Sequence, residues 1–128
     1  MNILLLGDII GPSGRKAVAE KLPEIIKKKK IDFVILNGEN AGDHGVGIAK
    51  KIFYELMEVG ADVITTGNHV WDEKEAIEFI SKDTRLLRPA NLIKGSPGNG
   101  MGIFISKNKK KVAVLNLMGN VFMKKCED

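Results

Sequence analysis

Three short apolar runs in this chain each stop at a glycine, and each glycine is followed at once by ligand-type polar side chains. Ile3-Leu4-Leu5-Leu6 stops at Gly7-Asp8. Phe33-Val34-Ile35-Leu36-Asn37 stops at Gly38-Glu39-Asn40, and Ala61-Asp62-Val63-Ile64-Thr65-Thr66 stops at Gly67-Asn68-His69. Runs this short and this aliphatic read as buried strands rather than helices. In an open parallel α/β sheet the carboxyl ends of the strands share one edge, and ligands bind there. The expected fold class is therefore α/β, a mostly parallel sheet flanked by helices, with Asp8, Glu39, Asn40, Asn68 and His69 gathered on one edge.

The segments between the runs agree. Pro12-Ser13 suits a helix start, and Val18, Leu22, Ile25 and Ile26 recur at helical spacing up to about Lys29. A strand–helix–strand unit of this length calls for a right-handed parallel crossover. A second helix is expected over 48–59, with Ile52, Phe53, Leu56 and Met57 buried and Gly60 as its stop. A third is expected over 73–81, with Asp72, Glu73 and Glu75 at its positive end. Leu86-Leu87 reads as a short strand. Segments 101–106 and 112–117 read as a hairpin closed near Asn108-Lys109. Apolar residues within 121–128 suggest that something packs there, or that the chain once continued.

Composition narrows the function classes. Aromatic residues make up 5% of the 128, too few for a stacking platform on single-stranded nucleic acid. The net charge of +4 sits largely in Lys27–Lys30, Lys109–Lys111 and Lys124-Lys125, which read as solvated surface that also attracts anions. The single cysteine, Cys126, excludes an internal disulfide and fits a reducing cytoplasm. Met1-Asn2 leads into the first strand without a basic leader, so no signal peptide is expected, and no apolar stretch reaches bilayer length.

The strand ends carry the chemistry. Asp8 alone is an ordinary turn residue, and Gly7, Gly11 and Gly14 do not have dinucleotide-loop spacing. Glu39-Asn40 is harder to assign to a structural loop, since neither residue favours a strand terminus. His44, in the glycine-rich stretch 42–47, reads as a surface residue. Two carboxylates and neighbouring amides form an oxygen-rich cluster suited to a pair of divalent cations ~4 Å apart, which would polarise a phosphoryl oxygen and activate a water. His69 beside them suits protonation of a leaving oxygen.

These residues resemble the blocks of the calcineurin-like metallophosphoesterases, most closely the YmdB-type branch. Gly7 to Arg15 follows Gly-Asp-Ile-x-Gly-x-x-Gly-Arg, Asn37 to Ala41 follows Asn-Gly-Glu-Asn-Ala, and Gly67 to Asp72 follows Gly-Asn-His-x-Trp-Asp. Arg88-Pro89-Ala90-Asn91 and the segment 116–123 also resemble that branch, so the likeness runs along essentially the whole chain. It implies a two-metal hydrolase, a phosphodiesterase acting on cyclic nucleotides such as 2′,3′-cyclic AMP. Asp8, Glu39, Asn40 and Asn68 become metal ligands with Glu39 as the bridge, and His69 becomes the catalytic acid. The metals become iron or manganese, and the expected reaction is in-line attack by a metal-bound hydroxide.

One departure is large. The resemblance implies a second half of similar length, with three further metal-binding histidines. Residues 1–128 then form the N-terminal part of a single domain, half of an αββα sandwich, with the C-terminal part absent. Weak metal affinity is expected without those imidazoles, and inactivity of the chain alone is one consequence. An apolar sheet face left open would favour homo-oligomers. Two other functions fit the same residues: a non-catalytic nucleotide- or phosphate-binding module built on Gly7 to Gly14, and an RNA-associated oligomerising protein using the lysine patches.

Overall fold

The computed structural model describes residues 1–121, 123 and 126. Phe122, Lys124-Lys125 and Glu127-Asp128 lie outside the described residues, and with them most of the expected packing of 121–128 and one of the lysine pairs.

Nine elements follow in order: β1 (Ile3–Asp8), α1 (Gly11–Lys29), β2 (Phe33–Asn37), α2 (Lys50–Val59), β3 (Val63–Thr65), α3 (Lys74–Phe79), β4 (Leu86–Leu87), β5 (Met101–Ile105) and β6 (Lys111–Leu115). The first four strands form one parallel sheet in the order β1-β2-β3-β4. Right-handed crossovers in an unbroken order put every connecting helix on the same face. Alternation along each strand then splits the core in two. Val34, Leu36, Ile64 and Leu86 pack with Leu22, Ile52, Phe53 and Phe79 from the helices. Phe33, Val63 and Leu87 face the other way, against Val112 and Val114 of the antiparallel β5–β6 hairpin. Phe33 stacks at a tilt on Phe104, ring centroids 6.1 Å apart, and burying it contributes about 1.5–3 kcal/mol.

The expected elements are present with shifted ends. β1 reaches Asp8, because Asp8 pairs with Asn37 after a register slip at Gly7, so Asp8 is a strand residue rather than part of a loop. α3 stops at Phe79 instead of running to Ser81, because the Lys82 and Asp83 amides both turn back onto the Phe79 carbonyl. α2 starts at Lys50, whose amide donates to Glu75 Oε1 at 2.6 Å. Gly60 ends α2 at φ 124°, a conformation that favours glycine.

The hairpin is apolar on both faces. Met101, Ile103, Ile105 and Leu115 point outward, with Ile103 65% exposed, and Leu5 of β1 is 70% exposed. Lys27–Lys29 occupy the exposed last turn of α1, as expected of a solvated basic run. Among the described residues, no helix is long and apolar enough to cross a membrane.

Candidate functional site

The parallel register brings the ends of β1, β2 and β3 together. Asp8 closes β1, Glu39-Asn40 form the turn after β2, and Asn68-His69 form the turn after β3. Backbone bonds fasten these turns to one another. The Ile9 amide donates to the Asn37 carbonyl at 3.0 Å, Gly38 to Thr65 at 2.9 Å, and Gly11 to Asn40 at 2.9 Å. That last bond occupies an amide that a phosphate-cradling loop at Gly7 to Gly14 would need, which weakens the case for such a loop.

All five candidate residues meet at this edge. Asn40 Nδ2 donates to Asp8 Oδ2 at 2.8 Å. The Glu39 amide donates to Asn37 Oδ1 at 2.9 Å, which fixes the turn and aims the Glu39 side chain inward. The Asn68 amide and His69 both lie close enough to the Glu39 carboxylate to act on it electrostatically. A Cβ at position 67 would collide with Glu39 Oε2, so only glycine lets the carboxylate lie there.

Glu39 is perturbed by its surroundings. Burial pushes its pKa above the ordinary range, and the neighbouring Asp8 charge pushes it further; His69, Asn37 and the Asn68 amide pull it back less. Its Oε2 is buried and accepts no hydrogen bond. An unpartnered carboxylate oxygen beside a second carboxylate is an unfavourable arrangement that a bound cation would relieve. The donor set, two carboxylates and two carboxamides, fits a hard or borderline metal ion. It is an oxygen set only: among the described residues, no group of three or more His, Cys, Asp or Glu could hold a metal. His44 is exposed on its loop, as expected.

Asp8 is the exposed member of the cluster, while His69 is half-buried, its side chain 34% exposed. Its Nδ1 lies 2.6 Å from Asp72 Oδ2. A carboxylate at Nδ1 holds the proton there and orients the ring, leaving Nε2 for chemistry. The sequence places Asp72 at the start of α3, whereas the structure makes it the partner of His69. Its spacing three residues beyond His69 is the signal for that role. Arg15 closes the first motif block, but nothing near it in the chain marks what it contacts. Its guanidinium reaches the Ala41 carbonyl at 2.5 Å and Asp43 Oδ1 at 2.6 Å, 26 and 28 residues on, and so braces the turn carrying Glu39-Asn40. A cavity of about 290 Å³ opens beside the cluster, walled by Glu39, Gly67, Asn68, Asn116 and Met118.

Comparison with known proteins places the sequence and the fold. The sequence matches the YmdB-like protein family over residues 4–128. It is 45% identical over 128 residues to a 2′,3′-cyclic-nucleotide 2′-phosphodiesterase of Bacillus subtilis (strain 168), covering 100% of this chain and 48% of that protein. The fold superimposes on a hypothetical protein from Thermus thermophilus with a TM-score of 0.90 and 34% identity, covering 100% of this chain and 49% of that one. It also superimposes on a phosphatase from Mycoplasma pneumoniae with a TM-score of 0.82 and 35% identity, covering 91% and 42%. The chain thus spans about half the length of the relatives it matches.

Proposed function

The chain belongs to the YmdB-like protein family, and on that premise we propose that it carries the oxygen-ligand half of a two-metal phosphodiesterase site for cyclic nucleotides such as 2′,3′-cyclic AMP. The observation that carries this reading is the buried, unpartnered Oε2 of Glu39 set against Asp8. Asp8, Glu39, Asn40 and Asn68 would hold iron or manganese, with Glu39 shared between the two ions. The bound metals would polarise a phosphoryl oxygen and lower the pKa of a water. The remaining donors would come from the half of the relatives' length that this chain does not match.

The chain's own residues do the rest. Arg15 and the Gly11–Asn40 bond keep the Glu39-Asn40 turn rigid before substrate arrives. Asp72 holds the Nδ1 proton of His69, so a protonated Nε2 can give its proton to the leaving oxygen as the phosphorus–oxygen bond breaks. The exposed apolar face around Leu5, Ile103 and Leu115 supports self-association. Sedimentation checks that point: an Ile103→Lys change should shift the chain to monomer, and a monomeric parent chain would count against it. A single unpaired cysteine supports a reducing cytoplasm as the setting.

Hydrolysis of 2′,3′-cyclic AMP with and without added Mn²⁺ tests the main reading, after intact mass has shown that the preparation is the 14.0 kDa chain. Weak turnover is expected, well below that of a full-length relative because half of the donors are missing; it should need metal and fall about 10²–10⁴-fold in His69→Ala. Turnover that ignores both metal and His69 would overturn it.

A further inference from the structure

The turn that presents Asn68 and His69 is held from outside its own strand. Asn116, just past the end of β6, donates from its side-chain Nδ2 to the Thr66 carbonyl at 2.8 Å and to the Leu87 carbonyl at 3.1 Å. A carboxamide nitrogen has two N–H donors, and both are used here. The same Leu87 carbonyl also takes the Thr66 amide at 2.9 Å and the Thr66 hydroxyl at 3.0 Å. Asn116 is itself anchored by its backbone, its amide donating to Gly100 at 2.9 Å and its carbonyl accepting from Ala90 at 2.7 Å.

The Thr66 carbonyl belongs to the peptide plane that contains the Gly67 nitrogen. Turning that plane would move Gly67, which lies directly against the Glu39 carboxylate, and with it the Asn68 amide next along the chain. We propose that Asn116 is a positioning residue: its two hydrogen bonds set the Thr66–Gly67 peptide and so place the Asn68-His69 turn against Glu39. The inference deepens the proposed phosphodiesterase site and rests on it for the meaning of that placement, but the placement itself is measurable without metal or substrate. The residue type matters. Aspartate has the same shape and no donor, so it would set oxygens against two carbonyl oxygens.

The test is amide hydrogen exchange by NMR on the chelator-treated chain, comparing the parent with Asn116→Asp. The amides to follow are Asn68, beside the Glu39 carboxylate, and Val70, bonded to the Gly67 carbonyl at 3.2 Å. Their exchange should accelerate roughly ten- to a hundredfold while the β1–β2 ladder keeps its protection. Uniform acceleration across both regions, or no change at Asn68 and Val70, would overturn the proposal. Should Asn116→Asp fail to fold, Asn116→Ala removes the donors without adding charge and is read the same way. Mn²⁺ titration supplies a second readout, with Ser106→Ala as control. Ser106 braces the distant hairpin turn through Asn108 and the Lys110 carbonyl. Asn116→Asp should weaken Mn²⁺ binding roughly ten- to a hundredfold and Ser106→Ala should not. Equal weakening by both overturns the positioning role. A parent chain that binds no Mn²⁺ instead counts against the proposed function, and the exchange data still decide the role of Asn116.

Discussion

The two ends of the parallel sheet are built from similar residues and do opposite things with them. At the amino end, the polar groups satisfy the backbone. Asp62 Oδ2 accepts from the buried Val34 amide at 2.7 Å, and Asp32 Oδ2 accepts from the Asn2 amide at 2.7 Å. Asn2 Nδ2 in turn closes the end of α1, donating to the Lys29 and Lys30 carbonyls at 3.2 and 3.1 Å. At the carboxyl end, Asp8 and Glu39 are held side by side, and Glu39 Oε2 is buried without a partner. One edge spends its carboxylates on stability, while the other leaves a carboxylate oxygen without a partner, which the proposed function reads as a metal-ligand position. A carboxylate that accepts a backbone N–H stabilises the fold, whereas one buried beside a like charge destabilises it.

The sharpest way to break this contrast is to neutralise one carboxylate at each end. Glu39→Gln should cost roughly a hundredfold or more in metal-dependent turnover, since loss of a ligand is at least as severe as loss of its supporting shell. It should also raise stability. The folded-state pKa of Glu39 lies above its ordinary value, so its contribution to stability is fully present below the ordinary carboxylate range and is lost as pH rises through the raised value. Thermal melts in chelator should therefore show Glu39→Gln melting above the parent chain at neutral pH, the two converging in acid. A variant that is less stable at neutral pH would mean that Glu39 is structural.

Gly67→Ala sharpens the same point from the other side of the contact. The new methyl would take the place of Glu39 Oε2, so turnover should fall roughly ten- to a hundredfold and stability by about 1–3 kcal/mol. Unchanged kinetics would show that Glu39 can sit elsewhere without loss.

At the amino end the expectation reverses. Asp62→Ala leaves the buried Val34 amide without its acceptor and should cost about 1–3 kcal/mol in denaturant unfolding, with turnover per folded molecule unchanged. Loss of turnover in the folded fraction would couple the two ends and remove the distinction.

The smallest effect belongs to the β4 approach. Arg85 bonds Asp83 at 2.9 and 2.6 Å and holds its carboxyl below the ordinary range. Asp83→Asn should be modestly less stable than the parent at neutral pH. The deficit should close as pH falls through the lowered Asp83 value, because a depressed carboxyl contributes stability above its ordinary pKa and loses it through the folded one. Melts over an acid series check this, and a deficit independent of pH would place the effect in packing.

The order of elements was legible along the chain because it rests on local signals. Apolar runs closed by glycine, helical periodicity over 18–26 and 52–57, and Gly60 after α2 are all set by neighbouring residues. The gathering of Asp8, Glu39, Asn40, Asn68 and His69 followed from parallel connectivity alone, since parallel strands put their carboxyl ends on one edge. What those residues experience was decided only in three dimensions. The burial of Glu39 depends on Gly67, 28 positions later, having no side chain. Glu75 suits the start of its own helix by the dipole rule, yet it bonds the Lys50 amide, 25 residues back. Asn116 reaches Thr66 across 50 residues. Helix-dipole preferences are weak and short in range, and a direct hydrogen bond from a distant segment outweighs them once folding brings it within reach. The sequence by itself determined which residues arrive at the edge; tertiary packing decided which carboxylates are satisfied there and which one is left without a partner.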